Sequence, residues 1–189
     1  MLPDWNVAGV VPPILPSVAG ADPRRSPYEI STLQLVERFN FSDERREILR
    51  GLLQFRSALS NIGITNGVQW VDGSFLEDVE NLEDRSPRDV DVVTFFHMPA
   101  GVTEVDLLNA NPNLFDHAHV KDNFRVDSYF FPIGGMMDAH HLRAVTYWYS
   151  MWSHRRDGLW KGFAQLMLTD PSEADALEAL EPPQEGGEQ

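Results

Sequence analysis

Between Trp70 and Phe96 the chain reads WVDGSFLEDVENLEDRSPRDVDVVTFF. The end of this stretch constrains the fold most. Val90, Val92, Val93, Phe95 and Phe96 are strong strand formers, so an apolar β-strand is predicted here. Side chains alternate across a strand. Asp89 and Asp91 therefore share one face, while Val90 and Val92 point into the core. The flanking valines argue for burial rather than an edge strand in solvent. Two like charges held that close repel and disfavour ionisation. A divalent cation between them is the simplest compensation, because hard ions take carboxylate oxygens.

Gly73-Ser74 supplies a second element. A short strand over 67–71 ends at Gly73. The residues from Ser74 to Val79 read as a helix start, with Ser74 as N-cap and Glu77 at the capping-box spacing. The plainer alternative is an ordinary strand-to-helix turn. A helix N-terminus preceded by glycine presents backbone N–H groups to an anion, typically a phosphate. A phosphate cradle beside a two-carboxylate metal site is a layout for phosphoryl-transfer chemistry.

Gly73-Ser74 followed by Asp89-Val90-Asp91 resembles the signature of the nucleotidyltransferase superfamily, the DNA polymerase β-like fold. There a Gly-Ser turn precedes an Asp-x-Asp strand, and a third carboxylate lies on a later strand. The spacing between the two motifs is slightly long, which predicts a bulged loop over 80–88. WVDGSF, RSPRDVDVVTFF, RVDSYFF and RRDGLWKGF together resemble a little-studied bacterial family of nucleotidyltransferase-like proteins, over most of residues 28–168. The resemblance implies an α/β (α+β) fold, a small mixed β-sheet with helices mainly on one face. It implies Asp89, Asp91 and Asp127 as catalytic metal ligands for two Mg²⁺ (or Mn²⁺) ions. Asp127 lies mid-strand in FRVDSYFF, on the face opposite Val126 and Ser128. Gly73, Ser74, Arg88, Lys161 and Arg155 are the expected nucleotide-binding residues.

Composition bounds the partners. The chain has 189 residues, enough for one domain with a core, and a net charge of −14. Seven acidic residues and no basic ones lie between Asp170 and Gln189. So acidic a surface repels a phosphate backbone, and non-specific DNA binding is not expected. With no cysteine, disulfides and thiolate metal sites are excluded. The stretch from Val7 to Ala19 is broken by Pro12, Pro13 and Pro16, so it reads as neither a signal peptide nor a membrane span, and a cytoplasmic protein is expected.

Three regions are expected: an extended arm over 1–27, the nucleotidyltransferase-like domain over 28–169, and an acidic tail over 170–189. Trp5, Val10, Val11, Ile14 and Leu15 are the expected anchors of the arm. The segment from Tyr28 to Phe39 contains a short helical pattern in Ile30, Leu33 and Val36 or Leu35. Ser42 caps a longer helix whose Ile48, Leu52, Phe55, Leu59 and Ile62 recur at helical steps, and Gly63 ends it. After His97 a loop is expected, with a short helix at 105–109. Gly134-Gly135 opens a helix over 137–153, and 163–168 alternates like a final strand. One or two helical turns are expected at 172–180, then an end to order at Pro182-Pro183 and a mobile QEGGEQ.

His154, Arg155, Arg156 and Lys161 form an island of positive charge, either a solvated helix end or a triphosphate contact. Asp116-His117-Ala118-His119 and Asp138-His140-His141 are lesser transition-metal candidates, lacking helical i,i+4 spacing.

The expected activity is transfer of a nucleoside monophosphate from a triphosphate such as ATP to a hydroxyl. The acceptor would be a protein, a small molecule or a tRNA end, with a toxin–antitoxin or defence role as a superfamily analogy. Two alternatives stand beside it. One is a non-catalytic nucleotide-binding or partner-binding module on the same fold. The other is a glycosyltransferase, which needs a longer parallel sheet.

Overall fold

The structure, a computed structural model, describes residues 1–181. Five strands form one sheet: β1 (Tyr28–Glu29), β2 (Gly67–Asp72), β3 (Val90–His97), β4 (Val126–Ile133) and β5 (Ala164–Met167). Their order is β1-β5-β2-β3-β4. β2 is antiparallel to both β3 and β5, while β3–β4 and β1–β5 are parallel. The fold is thus a mixed α/β arrangement, without the long parallel sheet of the glycosyltransferase alternative.

A parallel pair needs a long crossover. Between β3 and β4 it runs through α4 (Glu104–Ala110), α5 (Pro112–Phe115) and α6 (His117–Phe124). The sequence predicts only the first of these. The others follow from local signals: Pro112 occupies the first turn of α5, and Asp116 caps α6 by accepting from the His119 N–H. At the far side of the crossover Arg125 takes a left-handed conformation and turns the chain into β4.

Helix α1 (Thr32–Phe39), within the segment expected to hold a short helix, begins at Ser31, which forms a capping box with Gln34; Tyr28–Glu29 before it is the edge strand β1. Helix α2 (Asp43–Asn61) is capped by Ser42 as predicted. Its Ile48, Leu52, Phe55 and Leu59 are fully buried. They pack under the sheet face that carries Val90 and Val92. Gly51 lets α6 approach closely, since a Cβ there would collide with the Phe124 carbonyl oxygen.

Helix α7 (Ala139–Trp152) crosses the opposite face, where its Trp148 stacks on Tyr129 of β4. Asp138 caps it, rather than the Gly134-Gly135 pair. Helix α8 (Glu173–Glu178) joins α1 and α2. Asp170 accepts from the N–H and hydroxyl of Thr32, and Ala176 and Leu180 are buried. The stop at Pro182-Pro183 and the QEGGEQ terminus lie outside the described residues.

The N-terminal arm lies on the domain, with Leu2, Val10 and Val11 buried. The Val11 carbonyl accepts from Gly162 N at 2.6 Å, and the Pro12 carbonyl accepts from the Tyr28 hydroxyl at 2.8 Å. Among the described residues no helix is long and apolar enough to cross a membrane.

Candidate functional site

The register of the sheet builds the site. Asp72 on β2 lies opposite Asp91 on β3, and Asp91 lies opposite Asp127 on β4. Paired residues on adjacent strands share a face, with strands about 4.8 Å apart. The three aspartates therefore stand in a row across three strands. Asp89 sits one residue before β3. It joins the group through Lys121 of α6, whose Nζ lies 2.7 Å from Asp89 Oδ2 and 2.8 Å from Asp127 Oδ2.

These side chains line a cleft of about 690 Å³, together with Gly73, Ser74, Glu77, Tyr129, Arg155 and Lys161. The structure thus gathers Asp89, Asp91, Asp127, Gly73, Ser74, Arg155 and Lys161 in one place. Arg88 is the exception. It is exposed and does not line the cleft, because along the extended segment it alternates with Asp89. Arg85 lines the cleft instead.

The Gly73-Ser74 segment differs from the expected helix start. Ser74–Leu76 is a single 3₁₀ turn with no side-chain cap, and Glu77 is extended. The capping box fails because Glu77 is engaged elsewhere. Its Oε1 accepts from Lys161 Nζ at 2.9 Å, and Arg155 Nη1 lies 3.5 Å from its Oε2. A short helix, α3 (Val79–Glu83), follows, and Asp84 ends it in a left-handed conformation. Gly73 has φ +87°, and a Cβ there would run into Asp91 Oδ2. Asp91 is therefore packed directly against the turn.

Arg45 of α2 holds this turn from beneath. It is 0% exposed and donates to the carbonyls of Phe75 and Glu77 at 2.6 and 2.8 Å. It also makes a two-pronged pair with Glu80, at 2.6 and 2.9 Å. From the arm, Trp5 Nε1 donates to the Leu76 carbonyl at 2.7 Å. A fixed planar fork of donors suits such a convergence of oxygens.

Lys161, expected as a phosphate contact, is buried between Asp72 Oδ2 at 3.0 Å and Glu77 Oε1 at 2.9 Å. Burial opposes its charge, but the two carboxylates outweigh it and hold the ammonium above its ordinary pKa. Arg155 is likewise shared among Glu77, Glu83 and Asp157. The lesser histidine candidates have other partners: Asp116 and Asp138 cap α6 and α7. His117 Nε2 lies 3.4 Å from Asp127 Oδ1.

Asp72, Lys121 and Arg45 were not singled out by sequence reasoning, and Glu77 was singled out only as a helix-capping residue. Asp72 carried a signal, an acid at the end of an apolar strand directly before Gly73. The others are brought in by tertiary packing.

The electrostatics follow from this crowding. Burial first, then Asp127 and Asp89, push the Asp91 carboxyl up to about 6; Lys161 and Lys121 act against them. Burial pushes Asp72 up to about 7 in spite of Lys161. Raised carboxyl values mean that the fold favours the protonated forms. The contribution of these groups to stability is complete below about pH 4 and is lost as pH rises through 6–7. Asp91→Asn should therefore raise the stability of the metal-free protein at pH 7 by about 1–2 kcal/mol. The gain should vanish near pH 4. Urea unfolding of both proteins at the two pH values measures it; an equal or larger gain at pH 4 contradicts it.

The donor chemistry fits a hard divalent cation, since all candidate ligands are carboxylate oxygens. Asp72 Oδ1 and Asp127 Oδ1 are buried without a hydrogen-bond partner. Among the described residues, however, no group of three or more His, Cys, Asp or Glu side chains is drawn together to hold an ion as it stands. The Lys121 ammonium lies between two of the carboxylates instead.

Comparison with the curated proteins finds no match, and comparison with solved structures finds none either. A family model does match, over residues 3–167, and so includes most of the arm as well as the whole sheet. The chain belongs to the family described as Family of unknown function (DUF6932).

Proposed function

We propose that the protein is a metal-dependent nucleotidyltransferase, moving a nucleoside monophosphate from a nucleoside triphosphate to a hydroxyl acceptor. The observation that carries this reading is the register of Asp91 with Asp127 on the face where Gly73 packs against Asp91. It sets the Asp-x-Asp pair, the third carboxylate and the Gly-Ser turn around one cleft. Asp91 and Asp127, with Asp89 beside them, would hold magnesium or manganese. The metal would align the α-phosphate for in-line attack and offset charge on the pyrophosphate leaving group.

The chain's own residues have separate tasks. Gly73, whose missing Cβ leaves room for Asp91, and Ser74 would bring the turn's backbone to the phosphates. Tyr129 lines the cleft and offers a ring for a base, with Trp148 packed against it at a ring-centroid distance of 4.7 Å. Asp127, which lines the cleft, would accept the proton of the attacking hydroxyl. Seven carboxylates and five Lys or Arg side chains line the cleft. That excess of negative charge favours a triphosphate arriving with its cation over a bare polyanion.

The test is incubation with each α-labelled nucleoside triphosphate, Mg²⁺, and lysate or total tRNA. Wild type should label an acceptor, and Asp89→Ala/Asp91→Ala should lose at least about 10²-fold of the rate, as loss of metal-held charge stabilisation requires. Label that persists in the double variant removes the catalytic claim.

A second reading is favoured by one feature. Lys121 pairs with Asp89 and Asp127, as Lys161 does with Asp72 and Glu77, so much of the cleft's charge is already compensated. A non-catalytic nucleotide-binding module would tolerate that. It prevails if nucleoside triphosphates with Mg²⁺ raise the melting temperature and no label is transferred by wild type.

A further inference from the structure

We infer that the cleft takes one divalent ion rather than two, held by Asp72, Asp91 and Asp127, and that the Lys121 ammonium fills the second cation position between Asp89 and Asp127. This rests on the metal-dependent reading above and changes its ligand set.

Three observations converge. The first is the place of Lys121. Its Nζ contacts one oxygen each of Asp89 and Asp127, at 2.7 and 2.8 Å, a bridging position a cation would otherwise take. The fold delivers it there. α6 is seated closely on α2 at Gly51, and Arg125, just after α6, pairs with Glu47 of α2 at 2.6 Å. A lysine ammonium is a compact point charge that can occupy such a position.

The second is the pair of buried oxygens without partners. Asp72 Oδ1 and Asp127 Oδ1 lack hydrogen bonds, and the Asp72 side chain is only 4% exposed. An unsatisfied buried acceptor is costly. These two residues flank Asp91 on either side in the strand register.

The third is Asp91 itself. Among the described residues no Lys, Arg or His makes an ion pair with it, although every other aspartate in the row has one. The carboxylate left without a cation thus stands between an Asp72 oxygen with no hydrogen-bond partner and an Asp127 oxygen that has only His117 Nε2, at 3.4 Å and outside hydrogen-bond geometry. One ion at Asp91 would satisfy all three once the side chains, which are not drawn together as they stand, close around it. A second ion at Asp89 and Asp127 would have to expel Lys121 and would face its charge nearby.

Asp72 precedes the Gly-Ser turn and lies outside the Asp-x-Asp signature. It becomes a metal ligand, while Asp89 becomes the residue that positions Lys121.

The experiment counts bound Mn²⁺ on the full-length, metal-free protein by electron paramagnetic resonance, with MnCl₂ as the sole ligand. Wild type should bind one Mn²⁺ per chain; Lys121→Met and Lys121→Gln should each bind two. The Lys121 side chain is 41% exposed, so these variants keep the fold. Asp72→Asn should weaken the single site by at least about 10–100-fold, the loss typical of even outer partners of a metal. Circular dichroism checks its folding, and the counts in wild type and the lysine variants decide the matter if it is too unstable to purify. Two ions in wild type, or one in both lysine variants, overturn the inference and leave the metal reading standing. No Mn²⁺ in wild type or in either lysine variant overturns the metal reading itself.

Discussion

Arg45→Ala is expected to lower the unfolding free energy by about 3–5 kcal/mol, the cost of breaking a buried charged network by removing one partner. Such a loss is a large part of a total stability of about 5–15 kcal/mol. The size follows from what Arg45 holds. It is wholly buried, and it satisfies the carbonyls of Phe75 and Glu77 together with both oxygens of Glu80. Phe41 lies over its guanidinium at 4.6 Å, with Trp5, Phe39 and Phe75 around it. Alanine leaves those oxygens without donors and a void among the rings.

Arg45→Lys should recover less than half of the loss, since one ammonium cannot reach three residues in the same geometry. Urea unfolding midpoints measure both. A loss under about 1 kcal/mol for Arg45→Ala would mean that the Gly73–Glu80 turn does not depend on this residue.

Gly73→Ala should cost about 2–4 kcal/mol of stability, from left-handed strain together with a steric collision. At φ +87° an alanine is strained, and its Cβ meets Asp91 Oδ2 with Asp91 Cγ 3.0 Å away. The collision moves the central aspartate of the row, so metal and nucleotide binding should fall by more than stability alone accounts for. The two causes separate in a double-mutant cycle. In an Asp91→Ala background the collision is gone and only the strain remains. Gly73→Ala should then cost at least about 1 kcal/mol less than it does in wild type, the coupling expected of residues in contact. Additive costs would place the whole effect in the backbone and remove the link between the turn and Asp91.

Strand β3 was legible in the sequence because its two faces differ: valines on one, aspartates on the other. The face of Asp127 was legible by the same alternation in FRVDSYFF. Its adjacency to Asp91 was not. That depends on a parallel crossover through α4, α5 and α6, and only α4 showed a clear pattern. The caps at Asn111-Pro112 and Asp116 were present and outweighed by the Pro- and Asn-rich look of the segment.

Ser74 and Glu77 show the reverse failure. The local pattern matched a capping box, but Lys161, 84 residues away, takes the glutamate. Arg88 was expected among the nucleotide-binding residues, and strand alternation turns it away. Lys121 could not be read at all. Nothing in HVKDNF marks it, and it matters only because α6 is laid against α2. Asp89, Asp91 and Asp127 were thus legible one by one, and so were Lys161 and Arg155, whereas the ion pairs that join acids to bases are tertiary.

We propose that this cleft acts on the α-phosphate of a nucleoside triphosphate. The most direct measurement compares α-labelled and γ-labelled nucleoside triphosphate in parallel reactions of wild type with Mg²⁺ and lysate or total tRNA. Nucleotidyl transfer predicts label on the acceptor from the α position alone, with labelled pyrophosphate released from the γ position. Acceptor labelled from the γ position, or from neither while the protein still binds the nucleotide, contradicts it.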